Sequence, residues 1–240
     1  VTWTADAIYI PTRRRVFLPT SAPPYAGPGD VLTGATTWWG LRAYSLAVTG
    51  NNAINLRRDS DNASKDFVTL VTGDLDTGSI SSWAAGANLF VTKLYDQTGN
   101  GNDIANTTAA TQPGFSLTLG PGGKAAMTFD QASSQNLIAL FNQTTPLILS
   151  AVGYPVDVAS ASRPWLGGVN ANGPLFYIRT PIALGAQSMY DANIFTNIVT
   201  TDSAWHALNG LQNHDGTNTF EIDGVQASGT SGFNPAAGYG

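Results

Sequence analysis

The chain contains no cysteine. That rules out disulfide staples, thiolate nucleophiles and cysteine metal ligands. With only two histidines and no cysteine, a structural zinc site is not expected. Glutamate is almost as scarce, with Glu221 alone against fifteen aspartates. Any chemistry that needs two carboxylates must therefore draw on aspartate. Charged residues make up 11% of the chain, far below the usual quarter, so Thr, Ser, Asn, Gln and Gly must cover the surface. The net charge is −5, and the one basic run, Arg13 to Arg15, is too short to form a basic face, so nucleic acid is not an expected partner. No apolar run is long enough to cross a membrane, so none is expected as a partner. There is no Gly-x-Ser-x-Gly elbow to seat a serine nucleophile.

The 240 residues are enough to bury a large core without staples. They fall into short runs rich in β-branched and aromatic residues, separated by Gly, Asn, Asp and Pro. Examples are AINLRR, LFVTKLYD, GFSLTL, AAMTFD, LILSAVGYPVDV, PLFYIRT, NIFTNIVTT and NTFEIDGV. This is the pattern of an all-β sandwich or barrel. Helical periodicity is poor; the best candidate is TGSISSWAAG, with Thr77 or Ser79 as cap and Gly86 as stop. Residues 1–30 differ from the rest. VTWTADAIYI can form a strand, but the Pro-rich stretch after it reads as an extended connector, because proline fixes φ and lacks an amide donor. The expected organisation is thus an arm over 1–30 and one domain over 31–240. Late in the chain, Trp205 to Gln212 and TFEIDGV read as antiparallel strands joined through NHDGTN. Phe220 and Ile222 should point to one face, and Glu221 and Asp223 to the other.

The Trp-His strand, its hairpin and the Phe-Glu-Ile-Asp-Gly-Val strand resemble laminin-G-like, concanavalin A-like jelly-roll domains. The upstream stretch from LRAYSL through AINLRRDSDNASKDF to KLYDQTGNGND is similar to the N-terminal half of arabinofuranosidase B-type catalytic domains. It is more similar still to phage and prophage proteins that carry a laminin-G-like module. The resemblance spans about 38–230 and implies a two-sheet antiparallel jelly-roll sandwich behind an extended N-terminal arm. It also locates the family's catalytic positions. The nucleophilic glutamate would fall at Phe176, within NANGPLFYIRT, and the acid–base aspartate would fall at or past Gly240. No catalytic residue is therefore assigned. The usual closing strand is not seen in GFNPAAGYG, so a further segment or a second protomer is expected to complete the sheet.

Three functions follow as expectations. The first is a non-enzymatic phage fibre, spike or decoration module, on a virion or extracellular, whose partners are other virion proteins, itself or a cell-surface glycan. The second is an arabinofuranosidase-like hydrolase, and the third a secreted lectin. The candidate ligand-binding residues are Trp165, in what reads as a loop, with Glu221 and Asp223. Asp96, Asn100, Asn102 and Asp103 carry the oxygens a calcium ion would need. The favoured reading of those four is a structural corner without a cofactor, in which Asp96 caps local amides and Gly99 and Gly101 take positive φ.

Overall fold

The structure, a computed structural model, describes residues 24–130, 132–138, 147–154, 163–167, 175–179, 186–191, 194–199, 204–213 and 217–230. Its elements in chain order are α1 (Pro28–Val31), β1 (Asn52–Arg58), β2 (Ser64–Val68), α2 (Thr77–Ala84), β3 (Leu89–Leu94), β4 (Ile104–Ala105), β5 (Gly114–Ser116) and β6 (Ala126–Thr128). There follow β7 (Leu147–Gly153), β8 (Arg163–Gly167), β9 (Leu175–Arg179), β10 (Ala186–Asp191), β11 (Ile194–Val199), β12 (His206–Gln212), β13 (Thr217–Ile222) and β14 (Val225–Thr230). Every strand pairing among the described residues is antiparallel. The first hydrogen-bonded group runs β2-β1-β3-β5-β6, with β4 on β3; the others run β11-β10-β9-β8 and β14-β13-β12-β7. β11 lies alongside β13 and β14. The architecture is an all-β antiparallel sandwich.

In the first group the alternation of β1 sends Ile54 and Leu56 inward, both fully buried. Ala53 is buried as well, which breaks a strict period of two. The register of β1 against β2 shifts between Asn52 and Ile54, and a bulge lets two successive residues face one side. Helix α2 closes this core with Ile80 and Ala84. Its N-cap is Asp76, not Thr77 or Ser79, because the Asp76 carboxylate reaches both the Ser79 amide (3.0 Å) and the Ser79 hydroxyl (2.6 Å). The helix stops as expected: Ala85 and Gly86 both take positive φ, the left-handed turn that ends many helices. A second apolar cluster holds Leu208, Phe220 and Ile222, so β13 is oriented as its sequence alternation predicts.

Of the expected arm, only 24–30 are described, and these pack on the domain. The Tyr25 hydroxyl donates to Ala43 O at 2.6 Å, and the Gly29 amide to Tyr44 O at 2.7 Å. Asp30 accepts from the Gly27 and Leu46 amides, each at 2.8 Å. At Gly27 a Cβ would lie 2.3 Å from Tyr44 O, so the close approach requires glycine. The expectation of a completing segment at the C-terminus lies outside the described residues.

Candidate functional site

The first cluster is the corner after β3. Asp96 is 8% exposed. Its Oδ1 accepts from the Trp38 amide (3.1 Å), the Thr98 amide (3.0 Å) and the Thr98 hydroxyl (2.7 Å), and its Oδ2 from the Asn102 amide (3.1 Å). Asp103 returns the gesture: its Oδ1 accepts from the Asp96 amide at 2.9 Å and its Oδ2 from Lys93 Nζ at 3.1 Å. Asn100 and Asn102 donate their side-chain amides to Thr36 O at 2.9 and 3.2 Å. Trp39 Nε1 donates to Asn102 O at 2.6 Å, and Gln97 bridges Gly40 O and the Tyr44 amide. Gly99 and Gly101 have φ of 86° and 78°, which lets five residues turn back on Asp96 without a Cβ penalty. The four sequence-selected residues do come together. Their polar atoms fasten the 35–44 segment to the sheet. Among the described residues no group of three or more His, Asp or Glu side chains is placed to hold a metal.

The second cluster lies on the sheet of β7, β12, β13 and β14. Its register aligns Ser150, Asn209, Glu221 and Gln226 across four strands. The first three are linked: Ser150 Oγ donates to Asn209 Oδ1 at 2.8 Å, and Asn209 Nδ2 donates to Glu221 Oε1 at 3.2 Å. This is the face away from Leu208, Phe220 and Ile222, and Ile148 and Val152 on it are 71% and 66% exposed. Continuing the β7–β12 register by one step sets Tyr154 opposite Trp205. Their ring centroids are 5.7 Å apart at 58°, and Tyr154 is 41% exposed. An aromatic pair, a hydrogen-bonding row and two exposed aliphatic side chains thus share one flat surface.

Asp223 borders that surface at the β13–β14 turn, with φ +50°. It is a position that Asp and Asn tolerate better than other side chains. Its Oδ2 is 2.7 Å from Nδ1 of the buried His206, and its Oδ1 accepts from the Ala207 amide at 2.9 Å. The bond to His206, then that amide, hold the Asp223 carboxyl below the usual range. Asp223 therefore orients β12, and Glu221 is the carboxylate facing outward.

Trp165 does not lie in a loop. It lies within β8, at an irregularity in the β8–β9 register between Pro164 and Leu166. A bulge accommodates the proline, which cannot donate to a regular ladder. The Trp165 side chain and that of Phe176 in β9 lie outside the description. Trp83 packs edge-on against Phe67 at 5.4 Å, so it belongs to the core. Of this aromatic pair, the sequence offers Trp205 as one of several tryptophans able to stack on a sugar ring, but not Tyr154 as its partner. The signal was present: the Trp-His dipeptide puts Trp205 on the face opposite His206, but only the register reveals which strand it meets.

Neither a family model nor a curated protein matches the sequence. Solved structures do. One is a GH54 α-L-arabinofuranosidase soaked with a cyclic sulfate inhibitor, with TM-score 0.66 and 15% identity over 87% of this chain and 55% of that one. Another is a glutamate-to-glutamine variant of a GH54 α-L-arabinofuranosidase soaked with 4-nitrophenyl α-L-arabinofuranoside, with TM-score 0.59 and 14% identity over 81% of this chain and 51% of that one. A third is an arabinofuranosidase complexed with arabinofuranosyl-α-1,2-xylobiose, with TM-score 0.59 and 15% identity over the same shares. The chain spans about half the length of these structures, and at such identity the likeness is one of fold.

Proposed function

We propose that this chain is a non-catalytic carbohydrate-recognition module that holds a glycan against the exposed face of β7, β12, β13 and β14. The observation that carries the reading is the pairing of Tyr154 with Trp205 beside the Ser150–Asn209–Glu221 row. Sugars offer an apolar C–H face and a rim of hydroxyls. Aromatic rings serve the first, and fixed amide and carboxylate groups serve the second. The resemblance to phage and prophage proteins supplies the setting, which is display on a virion as fibre, spike or decoration. Immunogold labelling of particles tests that setting. A glycan array with the intact chain tests recognition. Trp205→Ala and Glu221→Gln should each weaken binding to the captured glycan at least tenfold, and unchanged binding in both would overturn the assignment of this face.

A second reading is an arabinofuranosidase-like hydrolase. Glu221 favours it, as a carboxylate on the same exposed face as the aromatic pair. Release of 4-nitrophenol from the aryl arabinofuranoside, abolished in Glu221→Gln, would establish it in place of the first.

A further inference from the structure

The β2-β1-β3-β5-β6 group carries a groove of about 530 Å³ over β1, β2 and β3, bordered by the 105–112 segment. Such a volume is in the range of small-ligand sites. Two charged groups in it are held but not neutralised. Arg57 is half-buried, and its guanidinium lies 4.8 Å from the Phe90 ring centroid. Among the described residues its hydrogen-bond partners are all neutral oxygens: Gln112 Oε1 at 2.7 Å, Asn62 Oδ1 at 2.9 Å and Ala109 O at 3.5 Å. Gln112 is 3% exposed, and its own amide donates to Asn106 O at 2.9 Å, so its oxygen is fixed toward Arg57. The neighbouring Arg58, by contrast, is paired with Asp61 at 2.7 Å, and Lys93 with Asp103 at 3.1 Å.

The second group is Asp66, which is exposed. Its Oδ1 accepts from Asn55 Nδ2 at 2.6 Å and from the Tyr95 hydroxyl at 2.7 Å, and its Oδ2 faces no donor among the described residues. Burial first, then Asp66 beside it, push the Tyr95 phenol up, so it remains a proton donor and Asp66 an acceptor. The register pairs Arg57 with Ser64 and Asn55 with Asp66, which makes Arg57 and Asp66 diagonal neighbours, about 7–8 Å apart at the backbone.

We infer that this groove is a second binding site, for an acidic sugar residue, with Arg57 receiving the carboxylate and Asp66 accepting from ring hydroxyls. An inorganic anion would satisfy only the guanidinium, and a neutral sugar only Asp66. A hexuronate satisfies both, because its carboxylate and its distal hydroxyls sit at opposite ends of one ring. Arginine matches a carboxylate through two parallel N–H groups, which lysine does not. The site is separate from the face assigned above and stands whether or not that face binds.

The test is calorimetry on the intact chain with sodium D-galacturonate, sodium D-glucuronate, D-galactose and sodium sulfate at one ionic strength, together with ¹⁵N spectra. At least one uronate should bind, at least tenfold more tightly than galactose or sulfate. It should shift Arg57 Nε–H and the Thr92 and Lys93 amides while leaving Asn209 and Glu221 unmoved. Arg57→Gln and Arg57→Lys should each weaken binding tenfold or more, and Asp66→Asn severalfold. Absence of uronate binding, equal binding of galactose or sulfate, or shifts confined to the Asn209 face would each overturn the assignment. Should Arg57→Gln unfold, the spectra of the unaltered chain and the Asp66→Asn variant decide it.

Discussion

At the scale of single residues, Asp96 ties together the corner after β3. One buried carboxylate accepts three backbone amides and a hydroxyl. Asp96→Asn keeps the size but turns one acceptor into a donor that faces other donors. Leaving a buried polar group unmatched costs roughly 1–3 kcal/mol, and that loss should appear as a lower urea midpoint with an unchanged slope. Millimolar calcium should not restore it, since the amides that need Asp96 belong to the chain itself. A second residue, Asp61, is drawn to a pKa of about 2, first by its hydrogen bonds from Arg58 and then by the Ala63 amide. A carboxyl depressed by folding stabilises the fold above its unfolded value of about 4, and that contribution is lost as pH falls toward 2. NMR titration should place the Asp61 midpoint near 2, and Arg58→Gln should move it up toward the ordinary carboxylate range.

At the scale of elements, Asp76 caps α2 with bonds to both the amide and the hydroxyl of Ser79. Asp76→Ala should cost about 1 kcal/mol, read as a lower thermal midpoint. Asp76→Asn, which keeps an acceptor, should cost less. The helix itself was legible from its stop signals, but the cap was not: Asp76, Thr77 and Ser79 all carry capping side chains, and only backbone geometry selects Asp76. The strands with alternating apolar residues, such as β1 and β13, were legible from sequence. β2 was not, because Ser64, Lys65 and Asp66 look like loop until β1 pairs with them. β14, VQASGT, is hidden for the same reason. The candidate site was half legible. Glu221 was found from alternation, while the Ser150–Asn209 row beside it and the pairing of Tyr154 with Trp205 depend on long-range register that no local pattern carries.

At the scale of the whole molecule, the decisive question is whether a fold shared with hydrolases carries out hydrolysis here. Retention of configuration needs two carboxyl groups about 5–5.5 Å apart on opposite sides of the scissile bond. On the proposed face Glu221 is one carboxylate, and its Oε1 is already bonded to Asn209. The carboxylate nearest in sequence, Asp223, has one oxygen on His206 and the other on the Ala207 amide. With its pKa lowered, it is ionised at neutral pH and poorly suited to deliver a proton, which a general acid must do. Of these two carboxylates, then, neither is set to protonate a leaving group beside Glu221, which is why the proposed reading is one of holding a sugar. The expected outcome is no release of 4-nitrophenol from the aryl arabinofuranoside above the uncatalysed rate between pH 4 and 8, while the Trp205 fluorescence responds to a bound glycan. Turnover that disappears in Glu221→Gln would show instead that a proton donor reaches this face from elsewhere in the chain.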